Sequence, residues 1–402
     1  MAAFFCAVVP FCHVACDSLF FGWVAVMNSP MRTLQIINVR WFNATAWYGL
    51  YLGTLLQRAG HETRMIVMQN TPGALKAHEW GMQGVHMDLN TAHPFRLMRT
   101  YGQMHRLVTG FRPDVVNCHR GEGFMLWGLL KKQLAGGPYA FKLVRTRGDQ
   151  RLPKNNAVNR WLHTDVADAV VATNSVMARH FTDVLHVPAS KVHTIYGGVD
   201  ADRFVFDPQG RERVRAEFGY GEGDFVLGLL GRFDEVKGQK ETIEAVAALR
   251  RQGVSNIRLM LLGFDSATPQ SVVEGWMRDS GIEDISVITG KRDDVTACLS
   301  ALDAGVVASK WSETIARAAL EIMACARPLI STDVGVMPDL LEADAMFRPA
   351  DVDALAQAIR RVASDAEYRS SLLEQQQSRI RSLTGQQFLD QTLSLYNSIL
   401  RK

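Results

Sequence analysis

The chain has 402 residues, 47% of them apolar and 21% charged, which fits two or three soluble globular domains and excludes a disordered or low-complexity polypeptide. Its net charge of +3 hides an asymmetry: residues 31–205 hold 21 Lys and Arg against 11 Asp and Glu (+10), residues 206–402 hold 23 against 29 (−6), and Asp17 supplies the remaining −1. A basic first half calls for an anionic partner such as a lipid headgroup, a phosphorylated glycan or nucleic acid. The Arg/aromatic repeats that stack on bases are missing, which argues against nucleic acid. Six cysteines without a CxxC pair make no disulfide framework in a chain of this size, and a cytoplasmic setting is expected.

The first thirty residues are strongly apolar, yet no Lys or Arg precedes Arg32, and His13 and Asp17 interrupt the run. That pattern speaks against a signal peptide and weakens a spanning helix, so residues 1–30 are read as an extension outside the fold in preference to a membrane anchor, with Met27 or Met31 as alternative starts. From residue 31 onward, short apolar runs alternate with helical periodicity. Strands are expected at 34–39, 63–68, 114–118, 140–144, 169–172 and 191–195, with helices at 48–60, 124–134 and 176–185 among them. A second series follows residue 206. Its strands are expected at 225–230, 257–262, 285–288, 304–308 and 328–331, and its helices at 239–252, 269–279, 294–300, 315–326 and 352–363. A last helix is expected at 386–400.

Such alternation predicts an α/β chain with two doubly wound, Rossmann-like parallel sheets joined near residues 198–208. The expected organisation is an N-terminal domain over 31–205, a C-terminal domain over 206–385, and a terminal helix over 386–402 that crosses back to the first domain. Ligands of such sheets bind at the carboxyl ends of the strands, which places a cleft between the two halves.

Two clusters there carry chemistry. Gly231, Arg232 and Lys237-Gly238 follow the apolar run FVLGLL, so two cations stand at the top of a strand and the start of a helix. Cations oppose the dipole at that end, and an anionic ligand such as a diphosphate explains them, with Arg offering a bidentate fork and Lys a point charge. The other cluster is SKWSETIARAALEIMA from Ser309 to Ala324, with Glu313 before the helix and Glu321 about two turns inside it if the helix starts near Ile315. Its free N–H groups suit a diphosphate, and a carboxylate among Leu320, Ile322 and Met323 suits ribose hydroxyls as hydrogen-bond donors.

In order and spacing, GRF…KG, SETIARAALEIMA and RPLISTDVGVMPDLL resemble the retaining glycosyltransferases of family four, which have the GT-B fold. Gly198-Val199-Asp200 with Phe204, and Gly60-His61-Glu62, add to the likeness, which runs from residue 31 onward. The resemblance implies transfer of a sugar from a nucleotide-diphosphate sugar, UDP or GDP, to a hydroxyl of a glycan or glycolipid acceptor, with retention and without a metal or other cofactor. It further implies that Arg232 and Lys237 neutralise the departing diphosphate, that Glu321 holds the ribose, and that Glu313 contacts the transferred sugar. Gly231, Thr314, Ile315 and Ala316 would complete the donor site through their backbone. The two D-x-D sequences at Asp200–Asp202 and Asp351–Asp353 are set aside as accidental.

The chain also departs from that family. Thr314 and Ala316 stand where glycines are usual after the first glutamate, and Asn43, Ala44 and Thr45 lie where a Gly-Gly loop usually meets the acceptor. All eleven histidines precede Tyr196, and His119 after DVVNC is the one expected to reach the cleft as a catalytic group. Arg120, Arg145, Arg147 and Arg151 point to an anionic acceptor of the cell-envelope or lipopolysaccharide type, and the basic half to a peripheral membrane contact. Two other readings remain open: a nucleotide-sugar epimerase of the same architecture, and a catalytically silent nucleotide-sugar-binding module. A dehydrogenase would need a GxGxxG after a strand, which the sequence lacks.

Overall fold

A computed structural model describes residues 30–91 and 93–401, so the leader, apart from Pro30, lies outside the described residues. The first sheet has seven parallel strands: β1 (Arg32–Ile36), β2 (Glu62–Val67), β3 (Gln83–His86), β4 (Val115–Cys118), β5 (Lys142–Arg147), β6 (Ala169–Ala172) and β7 (Val192–Thr194), in the order β3-β2-β1-β4-β5-β6-β7. The second has six: β8 (Phe225–Leu230), β9 (Ile257–Leu262), β10 (Ser286–Ile288), β11 (Ala304–Val307), β12 (Leu329–Thr332) and β13 (Met346–Phe347), in the order β10-β9-β8-β11-β12-β13.

Each sheet is covered on both faces, as parallel strands require. In the first sheet Leu34, Ile36, Val116 and Leu143 pack on one face against Trp127, while Val115, Val144 and Val171 pack on the other against Trp47, Tyr48 and Tyr51. The helix Gly385–Leu400 completes that second face with Phe388, Leu389, Leu395, Tyr396 and Ile399. Each such side chain is worth about 1.5–3 kcal/mol when fully buried. The Tyr396 hydroxyl also accepts hydrogen bonds from Asn117 Nδ2 at 2.9 Å and Gln35 Nε2 at 3.4 Å.

The chain therefore crosses between the sheets twice, and the two crossings lie side by side. Val199 bridges Thr384, its N–H donates to Leu383 at 2.8 Å, and the Gly385 N–H returns to Val199 at 2.8 Å. Gly198 is dictated by that contact, because a Cβ there would stand 2.8 Å from the Thr384 carbonyl carbon.

Two differences from the expected elements bear on the site. The helix after β11 is Arg317–Ala324, with Ala316 left-handed at φ 51° as its N-cap, so Glu321 sits little more than one turn inside. In the first sheet β5 runs on to Arg147, which puts Arg145 within the strand instead of in the loop beyond it.

Candidate active site

A cavity of about 490 Å³ lies between the carboxyl ends of the two sheets. Gly231, Arg232, Lys237, Glu313, Thr314, Ile315, Ala316 and Glu321 line it from the second half, and Asn43, Ala44, Thr45 and Arg120 from the first. Contacts across the cleft fix the walls: Thr173 Oγ1 donates to the Thr314 carbonyl at 3.0 Å, and the Ser175 N–H donates to Asp339 at 2.7 Å.

The β8 wall arises from a buried strand that breaks at Gly231. Arg232 forms an ion pair with Asp234 at 2.8 Å, and Lys237 forms one with Glu313. Each cation is thus paired with a carboxylate of the chain itself. Gly238, at φ 71°, is required for a reason internal to the protein: a Cβ there would overlap the Ala308 carbonyl, and Gly238 does not line the cavity. Gly231 does line it, and a Cβ there would meet nothing nearer than the Lys237 side chain at 3.7 Å.

On the β11 wall, Glu313 is only 6% exposed and accepts the Ser309 hydroxyl at 2.6 Å besides Lys237. Its carbonyl receives the Val336 N–H at 2.7 Å, and Gly335, at φ 66°, passes directly against its backbone. Glu321, also 6% exposed, already has a partner in Arg317, whose guanidinium donates to it at 2.7 Å and lies 4.8 Å over the Trp47 ring. Arg317 lines the cavity and was missed in the sequence, although its spacing of four residues from Glu321 on a helix was the available signal. Asp149, Gln150 and Phe264 also line it without having been expected.

The first-half wall is held by its own hydrogen bonds. Asn43 caps the helix Ala44–Arg58 by accepting the Ala46 N–H at 3.0 Å, and Thr45 Oγ1 donates to Gly148 at 3.1 Å. Arg120 reaches Glu122 and Asp149, and it borders a neighbouring hollow of about 540 Å³ that Arg147 and Arg151 line with Glu122 and Asp149. Arg145 takes no direct place there: it is buried, donates to the Cys118 and Thr146 carbonyls at 2.7 Å each, and burial draws its pKa down to about 10.

His119 is where the structure corrects the expectation. It is fully buried beneath the helix Ala44–Arg58, where a Cβ on Gly49 would lie 2.9 Å from its ring. Its Nε2 pairs with Gln35 Oε1 at 2.9 Å, and burial, reinforced by Arg145, lowers its pKa to about 3. It lines none of the cavities described, so a neutral core histidine replaces the expected catalytic one. Among the described residues no group of three His, Cys, Asp or Glu side chains is placed to hold a metal ion.

Residues 224–365 match the family model for glycosyl transferases group 1, and residues 44–198 match that for the glycosyl transferase 4-like domain, together more than half of the chain. The chain belongs to the group 1 glycosyltransferases. Within this family it is 27% identical to the 2-deoxystreptamine glucosyltransferase of Streptomyces kanamyceticus over 277 residues, 63% of this chain and 68% of that one. It is 26% identical to the D-inositol 3-phosphate glycosyltransferase of Mycolicibacterium smegmatis over 196 residues, 48% of this chain and 43% of that one, so less than half of that relative's length is spanned. Among solved structures, HepE of Anabaena in complex with UDP and glucose superposes with a TM-score of 0.76 at 16% identity, over 92% of this chain and all of that one. Two facing parallel sheets are thus the GT-B architecture of this glycosyltransferase.

Proposed function

We propose that this glycosyltransferase moves a sugar from a nucleoside diphosphate, UDP in the first instance, to a hydroxyl of a glycan or glycolipid acceptor. Residues 206–385 would supply the donor side, and residues 31–205 the acceptor side, with the helix Gly385–Leu400 packed on the latter. The observation that carries the reading is the convergence of Arg232, Lys237, Glu313, Glu321 and the backbone of Thr314–Ala316 on one 490 Å³ cavity, opposite Asn43–Thr45. The UDP bound to HepE, a chain of the same fold, supports uridine as the base.

In this scheme Arg232 and Lys237 leave Asp234 and Glu313 for the diphosphate, and their charge stabilises it as the bond to the anomeric carbon breaks. Glu313, released by Lys237, accepts hydroxyls of the transferred sugar. Glu321, oriented by Arg317, accepts those of the ribose. The acceptor hydroxyl attacks from the side the diphosphate leaves and passes its proton to the departing phosphate oxygen, which retains configuration and calls for no metal. The hollow lined by Arg120, Arg147 and Arg151 favours an acceptor with a phosphate or carboxylate group, of the cell-envelope kind. Free thiols at Cys118, Cys298 and Cys325 accord with a reducing cytoplasm.

Melting curves with UDP, GDP, ADP and their sugars test the donor side, because a ligand of the folded state alone raises Tm by mass action. UDP or UDP-sugar should raise it in wild type and not in Glu321→Ala. No shift with any nucleotide would overturn the reading.

A further inference from the structure

The four most exposed large apolar side chains among the described residues are Phe95 at 77%, Trp41 and Met98 at 72% each, and Leu75 at 67%. They follow three successive strands. Trp41 comes after β1, Leu75 opens the helix Pro72–Glu79 after β2, and Phe95 and Met98 open the helix Pro94–Phe111 after β3. These strands are parallel neighbours in the order β3-β2-β1, about 4.8 Å apart, so the chain leaves all three at one edge of the sheet. Single exposed apolar residues are ordinary, whereas four on the connections that leave the β3-β2-β1 corner of the sheet, from both of its faces, mark a surface that meets something. The helix Pro94–Phe111 is anchored by Thr100, Met104, Val108 and Phe111, so Phe95 and Met98 are not needed to hold it.

The charges at that corner identify the partner. Arg40, Arg96 and Arg99 are exposed and none forms an ion pair among the described residues, and the helix Pro94–Phe111 carries no Asp or Glu at all. Glu79 is taken up by Lys76, which leaves Asp88 as the acid nearby. Bulky apolar groups flanked by unpaired arginines match a bilayer interface with anionic headgroups, where rings and thioethers enter the acyl boundary while guanidinium groups stay among phosphates. A second copy of this chain fits worse, because a two-fold contact would set the same unpaired arginines against each other.

We propose that this corner docks the protein on an anionic lipid surface. The inference rests on the glycosyltransferase reading above and adds its partner: Trp41 directly precedes Phe42 and Asn43, which line the cavity, so docking holds the cleft beside lipid-borne acceptors. Neither the apolar nor the cationic contribution suffices alone, since stable peripheral binding takes two signals.

Co-sedimentation of the full chain with phosphatidylcholine vesicles, with and without about 30% phosphatidylglycerol, tests the proposal. Binding is expected with phosphatidylglycerol only, and should weaken between about 0.1 M and about 0.5 M salt. The double variants Phe95→Glu/Met98→Glu and Arg96→Glu/Arg99→Glu, all at exposed positions, should each bind roughly tenfold or more weakly. Absence of wild-type binding, or binding by either variant as strong as that of wild type, overturns the proposal. So does a concentration-dependent dimer in light scattering that Phe95→Glu/Met98→Glu abolishes, which would seat a second copy there. The Tm rise with UDP should be the same in wild type and both variants. If wild type shows none, the donor-site reading fails, whatever the vesicles show.

Discussion

Gly335→Ala tests how Glu313 is positioned without touching the cavity wall. Gly335 has φ 66°, and a Cβ there would overlap the Glu313 carbonyl oxygen, with the carbonyl carbon at 2.6 Å and the amide nitrogen at 3.1 Å. The left-handed conformation costs a residue with a side chain about 1–2 kcal/mol. The hydrogen bond from Val336 N–H to Glu313 O, 2.7 Å in length, would be lost for about 1 kcal/mol more. Destabilisation of about 2–3 kcal/mol is therefore expected in a urea titration. Ordinary contact begins at 3.4 Å and the carbonyl oxygen lies nearer than the carbon, so the Glu313 backbone must retreat by about 1 Å or more. A displacement near 1 Å at a positioned group can cost about 100-fold in rate, which is the expected loss in sugar transfer or donor hydrolysis. Stability within about 0.5 kcal/mol of wild type together with turnover within about twofold would refute the reasoning.

Further outcomes follow from the same geometry. Ala316→Gly relieves a left-handed alanine at φ 51° and should leave stability unchanged or raise it by up to about 1 kcal/mol while UDP binding persists, as read by urea midpoint and Tm shift. Lys237→Ala strands the nearly buried Glu313 and should cost about 1–3 kcal/mol, whereas Lys237→Ala/Glu313→Ala should recover part of that loss without recovering activity; strict additivity in the cycle would count against the ion pair. His119 and His163 have folded pKa values lowered by burial to about 3 and about 4, below the unfolded value of about 6.5. The unfolded chain binds the extra protons between those values, so stability is complete above about pH 6.5 and falls on acidification, by about 2 kcal/mol per histidine at pH 5. Urea midpoints from pH 7.5 to 5 should show that slope, and His119→Gln should flatten it.

What could be read in the sequence depended on whether the signal was local. Strands at the sheet centres, such as Phe225–Leu230, Ile257–Leu262 and Ala169–Ala172, are covered on both faces and so appear as continuous apolar runs. The edge strand Gln83–His86 is largely exposed and Met346–Phe347 is two residues long, so neither leaves such a run. The helix Ala366–Ile380 escaped because it buries little beyond Tyr368, Leu372, Gln376 and Ile380. At the site, the cations after β8 and the glutamates around β11 were legible because short motifs hold them at strand ends. The Lys237–Glu313 pair spans 76 residues and was not readable. His119 misled for the same reason: its place after β4 is local, but its burial is imposed by a helix some seventy residues earlier in the chain.

The last helix gives the fold a temporal order. Gln35, in the first strand, meets Tyr396 across 361 residues of chain. At about 5–20 residues per second, a ribosome needs on the order of 20–70 s to deliver one after the other. Throughout that interval the aromatic face of Trp47, Tyr48 and Tyr51 lacks the side chains that complete it. The half of the protein made first is therefore the half finished last. A nascent chain of this enzyme carries an open apolar surface that chaperones can hold until translation ends.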